Sequence, residues 1–370
     1  MNKNIFAALA VLVGTIIGAG FLGIPYVVGK SGFLPGFFYL IFVFIFLTIV
    51  KLYLGEITLR TKGNHQLTGY AEKYLGKPGK FIMFFAMIFG IYSAIIAYLI
   101  GEGESFSFMI FGNLSYTLHF ALAFWLIMTI LSYIGLRALK QYEKIGFVIM
   151  MAIIILIFGI FFKGIQLENL SYVNSSNMFL PFGVIFFAFL GFSAMPAVER
   201  ILNRNGKAMK KTIILGNVIP LIFYFIFTLV IVGNFGTNVP EVATLSLGRI
   251  FSFLGVIAMF TSFFVLTIAI RDMFRFDFKL GRFKGWVLSS FTPLFIFLLI
   301  FKYNLAGFVQ ILSTAGIVSG GITGILVLIM SIRAKKLGNR KPEYKMKINW
   351  PIIIIMSLIF LLAVLLQLFF

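Results

Sequence analysis

The sequence contains no cysteine, 11 acidic residues and two histidines in 370 positions. Without cysteine there can be no disulfide, no thiol chemistry and no cysteine metal site. His65 and His119 stand far apart with no companion at ligand spacing, so no structural metal is expected. No nucleophile, base and orienting acid fall at one level of the chain, so no catalytic residues are assigned and no enzyme is expected. A Walker-type phosphate loop is missing too, which argues against ATP as a driving force. The scarcest commodity is charge: Asp, Glu, Lys and Arg make up 11% of the residues, against 61% apolar. Soluble domains carry about 25% charged residues.

What is present is a series of long apolar runs. About 20 helical residues cross a hydrocarbon core of about 30 Å, and the pattern predicts eleven spans, at 5–29, 33–54, 81–101, 117–136, 145–162, 179–198, 212–232, 247–270, 286–301, 305–330 and 350–370. The connections are too short to fold separately, which implies an all-α membrane protein with one polytopic domain over 1–370. The first run lacks a small-residue cleavage site and is expected to stay as a helix.

The net charge of +20 is a matter of topology, not of a nucleic-acid partner. Basic residues gather on alternate connections; Lys30, Lys163, Arg249 and Lys302 are the exceptions, and Lys51 lies within span 2 near its end. The positive-inside rule therefore predicts a cytoplasmic N-terminus and, after eleven crossings, an extracytoplasmic C-terminus in the cell membrane. Glu56, Glu143, Glu199 and Asp272 fall at inner ends, where Lys51, Lys140 or Arg200 are expected to pair with them.

Span 1 carries "GTIIGAGFLGIPY" from Gly14 to Tyr26, and span 6 carries "LPFGVIFFAFLGFSAMPAVER". A single Gly14-to-Gly18 spacing is an ordinary helix contact, but this density of glycine, followed by Pro25, predicts unwinding at membrane depth. Gly191 and Pro196 predict the same in span 6, with Ser193 available as a cap. Such backbone is tolerated only where protein or a wet cavity surrounds it. Each break opens a set of five spans, at 5–162 and 179–330, and the sets start from opposite sides. That is the pattern of an inverted repeat with its binding site at the broken helices, 350–370 being an extra helix. Free N–H groups near Gly20 suit a carboxylate, and carbonyls near Phe187 to Leu190 suit an ammonium group or a metal cation.

At these residues, together with "YAEKYLGKPGK", "IYSAIIAYLIGEGE", "GFSAMP" and "TSF", the sequence resembles the amino acid/auxin permease family of the APC superfamily, and within it the bacterial hydroxy and aromatic amino acid permeases. The resemblance implies a LeuT-type 5+5 fold and cation-coupled uptake of an amino acid. It would place the carboxylate on Thr15, Ile16, Gly18, Ala19 and Gly20, and the amine at Phe187, Phe189, Leu190 and Gly191. Pocket walls are expected from Tyr92, Ser93, Phe189, Phe192 and Phe260 or Phe263, with a neutral, apolar or aromatic substrate because no deep charge is available. In "AMFTSF" the Ala258 carbonyl and the Thr261 and Ser262 hydroxyls, with the Gly14 and Ile17 carbonyls, form a hard-oxygen set for Na⁺, a spacing shared with sodium-coupled members. A lysine that replaces the ion in some sodium-independent members would fall at Met150. H⁺ stays open as the coupling ion. Glu104 and Arg249 are candidates for an outer gate. No obligate protein partner is expected beyond the lipid bilayer. The competing readings are an amino-acid-sensing membrane subunit of the spore germinant receptor type and a passive channel.

Overall fold

The computed structural model describes residues 3–134 and 139–369, and the described residues are helical with no strand beyond one isolated bridge, Gly32 to Val173. The helices are α1 (Lys3–Ile16), α2 (Gly20–Ser31), α3 (Phe33–Leu59), α4 (Leu67–Phe111), α5 (Thr117–Ile134), α6 (Leu139–Phe161), α7 (Leu167–Ser171), α8 (Leu180–Ala188), α9 (Met195–Ile201), α10 (Gly206–Phe235), α11 (Ser252–Asp272), α12 (Arg282–Tyr303), α13 (Phe308–Ala315), α14 (Gly321–Leu337) and α15 (Trp350–Phe369). Helix is the expected outcome for apolar runs in lipid, because it satisfies each backbone group within its own segment.

Among the described residues, seven stretches are long and apolar enough to cross a membrane, and the bent pair α1 and α2 makes an eighth. Three shorter apolar helices, Thr117–Tyr133, Val148–Gly164 and Trp350–Leu365, occupy the places expected for spans 4, 5 and 11. The most enclosed stretches are Ser252–Asp277, Phe308–Leu337 and Leu180–Ile201, and Arg282–Tyr303 is the least enclosed. The bundle is thus built around α8–α9, α11 and α13–α14.

Span 3 differs from expectation at both ends. The stretch predicted as an inner loop is helical from Leu67, kinks at Gly76 (φ +77°) and continues unbroken to Phe111. Pro78 sits in the first turn after the kink, where a missing N–H costs nothing. Glu102 therefore lies inside the helix and is fully buried. The last long stretch is also irregular, with a π-helical turn at Gly316–Gly320 between α13 and α14.

The carboxylates expected at the basic end are there, with two changes of partner. Arg200 pairs with Asp272 at 3.2 Å and Arg204 with Glu199 at 2.9 Å. Glu56, however, pairs with Arg60 at 2.8 Å and accepts from the Met346 N–H at 2.7 Å, and Lys51 takes no part. Residues four apart share a helix face, while five apart do not. The expected Glu143 and Lys140 pairing involves side chains outside those described.

Candidate substrate site between two interrupted helices

α1 and α2 meet at an angle of 47° across a break of three residues, Ile17 to Ala19. The helical ladder ends when Ile17 N–H donates to the Val13 carbonyl, and Gly18 N–H turns back onto Ile16. No side chain caps the start of α2. Leu22 N–H donates to the Ala19 carbonyl at 3.1 Å, and the positive end of the helix dipole falls at this break. α8 stops at Ala188, and Gly191, with φ +94°, reverses the chain into a 3₁₀ turn at Phe192–Ala194 before α9 begins. Only glycine adopts that conformation cheaply. A Cβ built on Gly20 would stand 2.6 Å from the Ala188 Cα, so the two breaks touch backbone to backbone.

Three neighbouring helices hold the broken ends. The Tyr224 hydroxyl on α10 lies 2.8 Å from the Ile16 carbonyl and 2.9 Å from that of Ala188, sharing its one proton between the two breaks. Lys51 on α3 is fully buried, and its Nζ donates to the Phe189 carbonyl at 2.7 Å and to Asn217 Oδ1 at 2.5 Å. On α11 the Ser262 hydroxyl donates to the Gly14 carbonyl at 2.6 Å and lies 3.2 Å from that of Ile17. Each freed carbonyl so paired avoids the cost of a bare peptide group at membrane depth.

Between the breaks lies a cavity of about 70 Å³, lined from span 1 by Thr15, Ile16 and Gly18 and from span 6 by Phe187, Leu190, Gly191, Phe192 and Ser193. α4 contributes Leu67 and, at helical spacing, Met87, Gly90, Ile91, Ala94 and Tyr98; Leu266, Ser319 and Thr323 complete the wall. A wider cavity of about 650 Å³ lies elsewhere, among Tyr26, Tyr39, Phe179 and α15. Its rim includes the exposed Phe179 and Leu362 and it touches neither break, so the smaller cavity is the one that the interrupted helices line.

Residues 1–369 match the tryptophan/tyrosine permease family. The chain belongs to that family. Among its relatives, Glutamine transporter 2 of Aliivibrio fischeri is 28% identical over 64% of this chain and 63% of its own length. Tyrosine-specific transport system 1 of Haemophilus influenzae is 26% identical over 62% of this chain and 57% of its own length. The chain thus spans less than two thirds of each of these two. The Tryptophan-specific transport protein of Haemophilus influenzae is 23% identical over 94% of this chain and 91% of its own length.

In this member of the family the structure gathers most, but not all, of the expected binding residues. Thr15, Ile16, Gly18, Phe187, Leu190, Gly191 and Phe192 line the cavity. Ala19 and Gly20 do not, and Gly20 is spent on the contact with Ala188. Phe189 faces away: its carbonyl serves Lys51 and its ring lies 5.1 Å from that of Tyr224. The Ala188 and Phe189 carbonyls thus already have partners inside the protein and are not bare ends awaiting an amine. Tyr92 donates to the Leu288 carbonyl of α12 at 2.7 Å, and Tyr98 stands in the wall instead. Ser93, Phe260 and Phe263 are not in the wall either; Phe263 packs edge-on to Phe124 and Phe260 to Phe264. Ser193 does not cap α9.

The oxygens expected to hold a cation do converge in part. Ser262 Oγ joins the Gly14 and Ile17 carbonyls, and one residue earlier Thr261 Oγ1 lies 3.0 Å from the Ala258 carbonyl. Hydroxyl and carbonyl oxygens suit a hard cation. Met150 is buried on α6, one turn beyond Gly146, which abuts the Thr261 methyl. Glu104 and Arg249 form no salt bridge among the described residues, and the Arg249 guanidinium lies over Gly112 at the end of α4.

Proposed function

We propose that this chain is a secondary active transporter that takes up a neutral, apolar or aromatic amino acid with a coupling cation by alternating access. The observation that carries the reading is one cavity lined by both interrupted helices, in a member of a permease family whose relatives are described as transporting tyrosine, tryptophan or glutamine. All three are neutral amino acids, and the wall contains no Asp, Glu, Lys or Arg to pair with a charged side chain.

In this reading the substrate carboxylate is held at the break of span 1, beside Thr15 and Gly18, where the dipole of α2 favours an anion. The amine is held on the opposite side by backbone oxygens of the two breaks, and Tyr98, Phe187 and Phe192 pack on the side chain. The fold is of the LeuT type: the seven long stretches, the bent pair and the three shorter apolar helices make eleven crossings, ten of them two inverted sets of five, with α15 outside the repeat. One helix bundle rocks against a scaffold about the central site. The Gly14, Ile17, Ala258, Thr261 and Ser262 oxygens are the candidate Na⁺ ligands, and the absence of a lysine at Met150 argues against a lysine standing in for the ion there. A cation that favours the same occluded state as the substrate strengthens substrate binding, and the substrate strengthens the cation's by the same factor.

Counterflow in proteoliposomes, with a panel of labelled amino acids at fixed pH and with or without a sodium gradient, tests this. Saturable exchange of a neutral amino acid is expected. Binding without exchange would point to a sensor, and flux that neither saturates nor follows a cation gradient to a channel.

A further inference from the structure

Glu102 is the residue that this transport scheme has not used. It is fully buried on α4, nine residues before the end of the helix, and both of its carboxylate oxygens lack a hydrogen-bond partner among the described residues. The hydroxyl of Ser105, three residues on and on the same helix face, is buried and unpartnered as well. A side chain of this kind inside a membrane helix is costly to keep ionised and is retained where it serves a pathway.

Its place along α4 gives that pathway a direction. Met87, Ile91, Ala94 and Tyr98 line the cavity at helical spacing, and Glu102 follows Tyr98 by four residues, about 6 Å further along the same face. The Tyr98 hydroxyl in turn lies against Gly18, beside Ser262 at the break of span 1. In the other direction come Ser105 and the half-buried Glu104. Glu102 thus stands between the cavity and the end of the bundle opposite the basic loops.

Among the described residues no positive side chain pairs with it. On α4 itself the titratable neighbours are Tyr98 and Glu104. α5 brings His119, which is exposed, and the turn at 243–247 is flanked by Glu241, which accepts from the Val309 N–H, and Arg249, which lies over Gly112. α12 ends in the exposed Lys302 and Tyr303, and α13 carries no charge. The charges of α11 and α14, Arg271, Asp272, Arg333, Lys335 and Lys336, sit at the opposite end of the bundle. The adjoining glycines pack on Met259 and Phe308 and on Thr117 and Ala121, which supply mainly carbon and sulfur. A metal ion needs a shell of oxygens; a proton needs one.

We infer that Glu102 binds and releases a proton during each transport cycle, coupling amino acid movement to a proton gradient across the membrane. The inference rests on the transport reading above and is independent of the sodium ligands. Glutamine at this position imitates the protonated acid permanently. In proteoliposomes without sodium, wild-type protein is expected to accumulate labelled tyrosine, tryptophan or glutamine under an inward proton gradient and to acidify the lumen. E102Q is expected to keep counterflow, because Glu102 is outside the cavity wall, while gradient-driven accumulation and acidification fall about tenfold or more. Accumulation by E102Q at the wild-type level, or wild-type accumulation that follows a sodium gradient alone, overturns the inference. If wild-type protein gives no counterflow of any amino acid, the transport reading fails first and this one with it. E102D retains a carboxyl group on a shorter stem; its uptake-versus-pH profile is expected to be displaced from that of the wild type, and coincident profiles also count against Glu102.

Discussion

Removing the Lys51 ammonium would leave the Phe189 carbonyl and the Asn217 side-chain oxygen buried with no donor from α3. Each orphaned group costs about 1–3 kcal/mol, so Lys51→Met is expected to lower the unfolding temperature in detergent and to cut uptake about tenfold or more. Adding Asn217→Leu should recover part of the stability, since one stranded acceptor disappears, but not the uptake; full additivity of the two changes would show that the pair is uncoupled. Ser262→Ala removes one oxygen of the candidate cation set. The sodium concentration that half-maximally stimulates uptake at fixed pH is expected to rise about tenfold, and an unchanged sodium response removes Ser262 from the set. Neither Lys51 nor Tyr98 was legible in its role from the sequence. Lys51 looked like the partner of Glu56, five residues away, until the fold turned it towards a carbonyl 138 positions further along the chain. Tyr92 and Tyr98 are both tyrosines of one helix, and which of them meets the cavity depends on how α4 is rotated, which is set by its neighbours.

At the scale of the helix, the interruptions were readable because their cause is local. Gly191 must reverse the chain, and the glycines of span 1 lower the cost of unwinding. How close the two breaks come is a different matter, decided by packing and testable by adding single methyl groups. Gly20→Ala would put a Cβ 2.6 Å from the Ala188 Cα, whereas nothing lies within 4 Å of a Cβ at Gly14. Overpacking of this kind costs about 1–3 kcal/mol, while alanine within a helix is favoured over glycine by about 0.5–1 kcal/mol. Gly20→Ala is therefore expected to lower the unfolding temperature and Gly14→Ala to leave it unchanged or raised; equal effects would contradict the backbone contact between the breaks. The length of α4 escaped the sequence reading for a related reason. Hydropathy marks the part of a helix that meets lipid, and the polar turns from Leu67 onward are helical because the fold caps them: Asp277 accepts from the Thr68 hydroxyl and from the Gly69 N–H at 3.0 Å.

For the whole molecule, the distribution of Lys and Arg predicts which face meets the cytoplasm. The lack of native cysteine makes the chain its own background for testing it. A cysteine in place of Lys341, in the connection before α15, is expected to react with an impermeant maleimide only after the membrane is opened. One in place of Leu167, which is exposed at the start of α7, is expected to react from outside in intact cells. The reverse result would invert the orientation. The wall of the cavity between the breaks extends towards the basic end of the bundle, to Leu67, just after the basic connection at 60–66.

The sequence by itself determined that this is a helical membrane protein, which connections carry positive charge, and where two helices lose their regularity. Those properties follow from composition and from backbone restrictions that act within a few residues. Only the tertiary structure decided what the freed backbone groups bond to: Tyr224 shared between two breaks, Lys51 on Phe189, Ser262 on Gly14. It also left the Glu102 carboxylate with no partner among the described residues. Contacts of that kind depend on the rotation and separation of helices far apart in the chain, and a pattern of residues along one helix does not fix either.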